Sequence, residues 1–251
     1  MPTLLIVLLH VGPPALFAFV HGRSIYRTRG ILVFIALSLG VGGFFESLSL
    51  RTGFPFGRYY FTDVMGPKLF ELPVLLVLAY VGMGYVSWVL AILLLGHARR
   101  PFTIKRVVAL PLIASFIMVG WDLAMDPVWA NIDRAWVWKD GGAYFGVPVS
   151  NYLGWYLTVF VTYQLFALYL RSRTVTSKLT VEQGWLAILF YGVCASGNLL
   201  LIIPKRSLLV TDGTGKHWFS ADIIGACVIV SIFVMGSFAI LAWLRAGESE
   251  I

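Results

Sequence analysis

The sequence predicts an all-α protein, a polytopic membrane bundle of about seven transmembrane helices. Hydrophobic residues make up 59% of the chain and charged residues 12%, whereas a soluble domain carries about 25% charged residues. The apolar residues form runs close to the ~20 residues that a helix needs to cross the hydrocarbon core. Backbone polar groups in lipid must pair internally, so these runs predict helices.

The runs extend along the whole chain without a long polar segment between them. Residues 1–251 are therefore expected to form a single integral membrane domain. No basic segment or small-residue cleavage site accompanies the first run, which predicts a retained helix rather than a signal peptide. The spans are predicted at 3–21, 31–50, 71–95, 107–125, 149–170, 184–203 and 222–244.

Lysine and arginine predict the orientation of these spans. The short loops after spans one, three and five are dense in basic residues, and Arg245 follows the last span. Because basic loops stay on the cytoplasmic side, the N-terminus is predicted outside and the C-terminus in the cytoplasm. The other loops, 51–70, 126–148 and 204–221, are longer and rich in glycine, aromatic and acidic residues.

Most of the acidic residues map to the predicted outer half. This distribution predicts that the chemistry takes place there, although acids would also avoid the other side if arginines alone determined the topology. The acids concerned are Glu46, Asp63, Glu71, Asp122, Asp126, Asp133, Asp140, Asp212 and Asp222.

Several classes of function receive no support. The net charge is +7, but the basic residues lie in loops between apolar runs, so no nucleic-acid partner is expected. Cys194 and Cys227 both fall inside predicted spans without metal-like spacing, and we interpret them as packing residues. The sequence has no phosphate-binding, dinucleotide or zinc-protease motif. No cofactor and no metal are therefore expected.

The segment Trp121–Pro127, WDLAMDP, is the most unusual feature. Asp122 and Asp126 lie four residues apart, so both carboxyls share one helix face. An acid inside a span costs roughly 2.5–3.5 kcal/mol at the helix centre and is a candidate for function by default. Pro127 is expected to stop the helix. Asp126 is then placed near the interface, and Asp122 becomes the more deeply buried proton donor.

Other polar residues also fall inside spans. Glu46 follows a cluster of glycines that permit close helix approach, so it is expected to be buried between helices. Asn151 lies near the start of span five and Asn198 near the end of span six. Each of these residues has two open interpretations, which are a role in chemistry and a structural hydrogen bond between helices.

Aromatic residues cluster near these acids. An interfacial aromatic belt explains part of the enrichment, but aromatic faces also stabilise cations, including carbocations. Acids and aromatics in an apolar pocket favour chemistry in which a proton is added to an alkene. The cluster comprises Trp121, Trp129, Trp136, Trp138, Trp155, Tyr59, Tyr60, Tyr144 and Tyr152.

Taken together, these motifs resemble the CruF-type membrane carotenoid hydratases, which include the bisanhydrobacterioruberin hydratases. The resemblance covers most of residues 40–160, while spans six and seven contribute little to it. It is carried by Glu46, the segments 53–61, 121–127, 136–138 and 144–148, and Asn151, Gly154 and Trp155.

The resemblance implies addition of water to the terminal isopropylidene double bond of an acyclic carotenoid, without cofactor or metal. Asp122 or Glu46 is expected to be the acid, and Asp126 or Asn151 to orient the water. The expected partners are the carotenoid in the bilayer, water and other enzymes of carotenoid biosynthesis. The pI near 9.5 favours a bacterial substrate such as lycopene or γ-carotene, in a prokaryotic cytoplasmic membrane. The substrate-binding candidates are Trp121, Tyr59, Tyr60, Tyr144, Trp155 and Arg58.

Two alternatives stay open at this point. A membrane terpene or carotenoid cyclase would use the same protonation step and trap the cation with an internal double bond. A transporter or carotenoid-binding scaffold would use the acids as a proton relay.

Overall fold

The computed structural model describes residues 3–96, 103–172, 179–203 and 207–247. Within these ranges, six helices are long and apolar enough to cross a membrane, which confirms the predicted all-α membrane bundle. The first four are α1 (Thr3–Thr52), α2 (Leu76–Leu94), α3 (Ile104–Asn131) and α4 (Val149–Ser172). The fifth is α5 (Val181–Gly197) with a 3₁₀ extension to Ile202. The sixth consists of α6 (Ser220–Val230), which continues through a π-helical turn into α7 (Gly236–Gly247).

Helix α1 is a hairpin of two arms. Its backbone breaks at Arg27, which has the left-handed φ of 57°. A Cβ placed on Gly22 would lie 2.4 Å from the Ile31 side chain, although nine residues of straight helix span roughly 13 Å. The chain therefore reverses at Arg27, and its two arms correspond to the predicted spans 3–21 and 31–50.

Helix α3 does not end at Pro127, so that prediction is wrong. The helix runs to Asn131, with Pro127 inside it. A proline lacks only its own N–H and clashes with one carbonyl, and Trp129 and Ala130 beyond it are buried in the core. The Asn131 side chain also donates to the Pro127 carbonyl at 3.0 Å. Burial of this last turn therefore outweighs the local cost of the proline.

Three connections at one end of the bundle, 53–75, 132–148 and 207–219, form a layer that we call the cap. The sequence predicts loops over most of these residues, whereas the structure has three antiparallel strand pairs there. Strand β1 (Tyr59–Phe61) pairs with β4 (Trp136–Trp138), β2 (Lys68–Leu69) with β3 (Leu72–Pro73), and β5 (Leu209–Thr211) with β6 (His217–Phe219). Because β3 occupies residues 72–73, the helix predicted from residue 71 begins at Leu76.

The orientation of the bundle stays a prediction. Several basic residues on which it rests lie outside the described residues, namely Arg99, Arg100, Arg173, Lys178, Lys205 and Arg206. The described chain does place the ends of α1 and α3 and the starts of α2 and α4 at the capped end. This arrangement positions the intramembrane acids directly beneath the cap.

Candidate active site

Four polar side chains from three helices meet beneath the cap. Glu46 comes from the end of α1, Asp122 and Asp126 from α3, and Asn151 from the first turn of α4. All four are buried, with exposed fractions of 1–3%. The structure therefore brings together all the catalytic candidates, and Asp126 is as buried as Asp122 instead of lying near the interface.

Asn151 joins the two aspartates. Its Nδ2 donates to Asp126 Oδ2 at 2.6 Å and to Asp122 Oδ2 at 3.2 Å. The indole Nε1 of Trp136 donates to the other oxygen of Asp126, Oδ1, at 2.7 Å. An indole N–H donates and cannot accept, so both oxygens of Asp126 act as acceptors. This pattern fits an ionised Asp126.

Asp122 accepts fewer hydrogen bonds than Asp126 does. Its Oδ2 accepts the longer bond from Asn151, and its Oδ1 has no hydrogen-bond partner among the described residues. The side chain lines a cavity that Asp126 and Asn151 also line. A proton on Asp122 Oδ1 would therefore be available to a molecule in that cavity.

Glu46 is held by two tyrosines. The Tyr80 hydroxyl donates to Oε1 at 2.6 Å, and the Tyr59 hydroxyl donates to Oε2 in a short hydrogen bond. Burial and the neighbouring Glu46 carboxyl raise the pKa of Tyr59 well above its usual value. Tyr59 therefore keeps its proton at neutral pH and fixes the position of Glu46.

The three acids have no ion-pair partner among the described residues. The ion pairs found there lie in the cap, between Arg58 and Asp140 and between Lys68 and Asp63. Burying an ion costs several kcal/mol even after relaxation, and three uncompensated carboxylates would add mutual repulsion. The cluster is therefore expected to hold at least one proton.

The cavity between these acids is small and aromatic. Its volume is about 20 Å³, above the ~10–15 Å³ that one water molecule requires. A buried water also needs two to four polar partners, and the acids supply them. Besides the four polar residues, the lining consists of Phe56, Tyr59, Phe61, Leu76, Trp136, Trp138 and Trp155.

Three of the predicted substrate-binding aromatics lie at or beside this cavity. Tyr59 and Trp155 line it, and the ring of Trp155 stacks on Tyr80 with centroids 4.4 Å apart. Trp121 contacts Trp155 edge to face at 6.3 Å and lines two neighbouring cavities. Tyr144 instead packs on Tyr152 at 6.0 Å and is not part of the lining.

The structure does not bring Tyr60 and Arg58 into the cluster. Tyr60 is 47% exposed because alternate residues of a strand point to opposite faces, and its neighbours Tyr59 and Phe61 occupy the inner face. Arg58 is exposed and forms two hydrogen bonds to Asp140, at 2.8 and 2.5 Å. Asn198, the other polar candidate, donates to Ser231 Oγ at 2.9 Å, which matches its structural interpretation.

Two hydrogen-bond partners of the acids, Tyr80 and Trp136, have roles that the sequence does not predict. Tyr80 has no sequence signal other than being a phenol in the middle of an apolar run. Trp136 belongs to the predicted aromatic cluster, but its bond to Asp126 depends on the pairing of β1 with β4. Among the described residues, no group of three His, Cys, Asp or Glu side chains is arranged to hold a metal ion.

Comparison with known proteins gives a consistent result. The family model described as "carotenoid biosynthesis protein" matches residues 3–208. A bisanhydrobacterioruberin hydratase from Haloarcula japonica is 31% identical over 139 residues, which cover 55% of this chain and 45% of the relative. The match thus spans less than half of the relative's length. No solved structure matches the chain.

Proposed function

The chain belongs to the carotenoid biosynthesis protein family, and we propose that it is a cofactor-independent carotenoid 1,2-hydratase. The enzyme adds water to the terminal isopropylidene double bond of an acyclic carotenoid end, as in lycopene or γ-carotene. It works in the cytoplasmic membrane of a prokaryote and takes its substrate from the bilayer. The observation that carries the proposal is the buried acid cluster around a cavity of one-water size.

The first step is proton transfer from Asp122 to the substrate. The proton on Oδ1 adds to the alkene carbon that bears a hydrogen, and the π electrons form the new C–H bond. The positive charge then rests on the neighbouring carbon, which carries two methyl groups and is tertiary. Asp122 suits this role because its Oδ1 is uncommitted, whereas both oxygens of Asp126 accept hydrogen bonds.

The aromatic lining stabilises the cation that results. The faces of tryptophan and tyrosine rings attract positive charge, and the effect grows in a site without bulk water. Trp155, Trp136 and Trp138 line the cavity with the acids. These ring faces stabilise the cation until water reaches it.

The second step is capture by water. The water oxygen forms the C–O bond, and Asp126 accepts the proton that the water releases, which gives a tertiary alcohol. The Trp136 and Asn151 donors hold the Asp126 carboxylate in place for this role. A later water molecule returns the proton from Asp126 to Asp122, so no external acid or reductant is consumed.

A cyclase would share the first step and differ in what captures the cation. The polar lining favours water as the nucleophile, because Glu46, Asp122, Asp126 and Asn151 supply the hydrogen-bond partners that a bound water needs. Product analysis separates the two functions. Expression in a lycopene-producing host should give products heavier by one water for each end that reacts.

The matched controls are Asp122→Asn, which removes the proposed acid, and Arg58→Ala, which changes an exposed side chain of the cap. We expect the hydrated product from the wild type and from Arg58→Ala, and none from Asp122→Asn. A new product of unchanged mass would establish cyclisation instead. An unchanged carotenoid profile with the wild type would contradict any modification of lycopene.

A further inference from the structure

A larger apolar cavity opens beside the acid cluster. It lies between the first arm of α1, α3 and α5 and has a volume of about 450 Å³. This falls within the ~300–1,000 Å³ typical of ligand-binding pockets. We call it the side groove and define it by Leu9, His10, Trp121, Trp129, Val193 and Cys194, which lie along its wall.

The side groove adjoins the acid cluster across an intervening small cavity, which we call the passage. A second cavity of about 20 Å³ shares His10, Trp121 and Trp129 with the side groove. The same passage shares Leu76 and Trp136 with the cavity of the acids. The three cavities therefore lie in a row from the side groove to the acids, and the side chains shared by neighbouring cavities must move for a hydrocarbon end to reach the acids.

The outer rim of the side groove faces away from the bundle. Leu9 is 55% exposed and Val193 62% exposed, on helices that are apolar enough to span a membrane. Exposed aliphatic side chains in a membrane span lie against lipid. The opening is therefore lateral, toward the bilayer in which a carotenoid is dissolved.

The length of the side groove limits what it can hold. Its wall extends from Ile6 to Pro14 on α1 and from Trp121 to Asp133 around α3. At 1.5 Å per helical residue these stretches span roughly 12–18 Å, about half of the ~30 Å hydrocarbon core. A polyene as long as the membrane is thick would fit in part, and the remainder would stay in lipid.

The passage has one polar atom without a partner. The imidazole of His10 lies between Trp121 and Trp129, with ring centroids 5.7 and 5.0 Å away. Its Nε2 is buried and has no hydrogen-bond partner among the described residues. An N–H of this ring can donate a weak hydrogen bond to the π electrons of a polyene beside it. Saturated lipid tails have no π electrons and cannot accept such a bond.

We propose that the side groove binds the polyene segment next to the reacting end of the substrate. The end group passes His10 and Trp121 to reach Asp122, and the far half of the molecule stays in the bilayer. This assignment rests on the proposed function for the identity of the substrate. It implies that the enzyme recognises one end of a carotenoid and is indifferent to the other.

Binding can be tested separately from catalysis. Lycopene is achiral, so it acquires circular dichroism in its visible bands when a protein holds it in a chiral site. The full-length Asp122→Asn variant in lipid nanodiscs would be titrated with lycopene, so that turnover does not interfere. Cys194→Trp, added to this variant, fills the groove, and Leu189→Trp places the same ring on α5 at an exposed position outside the lining.

We expect saturable induced dichroism with Asp122→Asn and with the Leu189→Trp control. Cys194→Trp should weaken lycopene binding about tenfold or more, because the added ring occupies space that the polyene needs. Equal binding by the Cys194→Trp and Leu189→Trp variants, or no induced signal with Asp122→Asn, would overturn the proposal.

A second measurement needs no substitution. Lycopene should slow the modification of Cys194, which is partly exposed and lines the groove, by a small thiol reagent severalfold in the wild-type protein. Cys227 is buried outside the lining and should stay unmodified with or without lycopene. Equal rates with and without lycopene would overturn the groove assignment. If lycopene protects Cys194 but no hydrated product forms, the groove stands and the proposed function fails. If hydrated product forms although lycopene does not protect Cys194, the proposed function stands and the groove assignment fails.

Discussion

Replacing Asp122 with asparagine should abolish hydration while leaving the protein as stable as the wild type. In the structure, Asp122 Oδ2 accepts from Asn151 Nδ2 at 3.2 Å, and Oδ1 has no partner among the described residues. An asparagine can keep a carbonyl oxygen toward Asn151 and turn its NH₂ into the cavity. No buried donor loses its acceptor, so the free energy of unfolding should change little.

The activity should fall much further than the stability. A positioned general acid typically contributes 10²–10⁴-fold to a rate, and an amide cannot protonate an alkene. We therefore expect product formation to drop by at least about a hundredfold. The isosteric change makes a packing explanation of that loss untenable.

Asp126→Asn is the matched comparison. Both Asp126 oxygens accept hydrogen bonds, from Trp136 at 2.7 Å and from Asn151 at 2.6 Å, so an amide must turn its NH₂ toward one of these donors. A buried donor without an acceptor costs about 1–3 kcal/mol. The melting temperature should fall by about 2–4 °C for each kcal/mol, in addition to the loss of activity.

The assay combines thermal unfolding in detergent with product analysis of the same preparations. The reasoning predicts an inactive Asp122→Asn with a wild-type melting temperature, and an inactive Asp126→Asn that melts lower. It would be refuted if Asp122→Asn kept a tenth or more of the wild-type activity. It would also be refuted if the two variants were destabilised equally.

Three further substitutions probe the surroundings of the acids. Trp136→Phe keeps the aromatic face but removes the donor to Asp126, so product formation and melting temperature should both fall, as measured by chromatography and thermal unfolding. Gly154→Val should lower activity, because a Cβ there would lie 2.5 Å from the Phe56 ring that lines the cavity; normal product yield would contradict this. Arg58→Ala should leave product yield and melting temperature unchanged, since its pair with Asp140 is exposed, and a large loss would place Arg58 in the site after all.

The sequence revealed the acid cluster because polar residues are rare inside apolar runs. Glu46, Asp122, Asp126 and Asn151 each stood out against an apolar background, and the helical spacing of the two aspartates placed them on one face. The sequence did not reveal how deeply these side chains are buried. Pro127 suggested a helix end, and burial of the following turn, with Trp129, overrode that local signal.

The cap was harder to predict because its structure depends on contacts between distant segments. Nothing local shows that Tyr59 lies opposite Trp138 in an antiparallel pair. That pairing brings Trp136 to Asp126 and Tyr59 to Glu46. Strand alternation would have separated Tyr59 from Tyr60 had the strand been recognised. The side groove likewise arises from the packing of α1, α3 and α5.

The source of the added atoms tests the central claim most directly. Purified enzyme would convert lycopene in ¹⁸O-labelled water and, separately, in deuterated water, with products examined by mass spectrometry. Protonation followed by water capture predicts one ¹⁸O in the new tertiary hydroxyl and one deuterium on the adjacent carbon for each end that reacts. A product whose oxygen does not come from water, or whose adjacent carbon carries no solvent hydrogen, would contradict the mechanism.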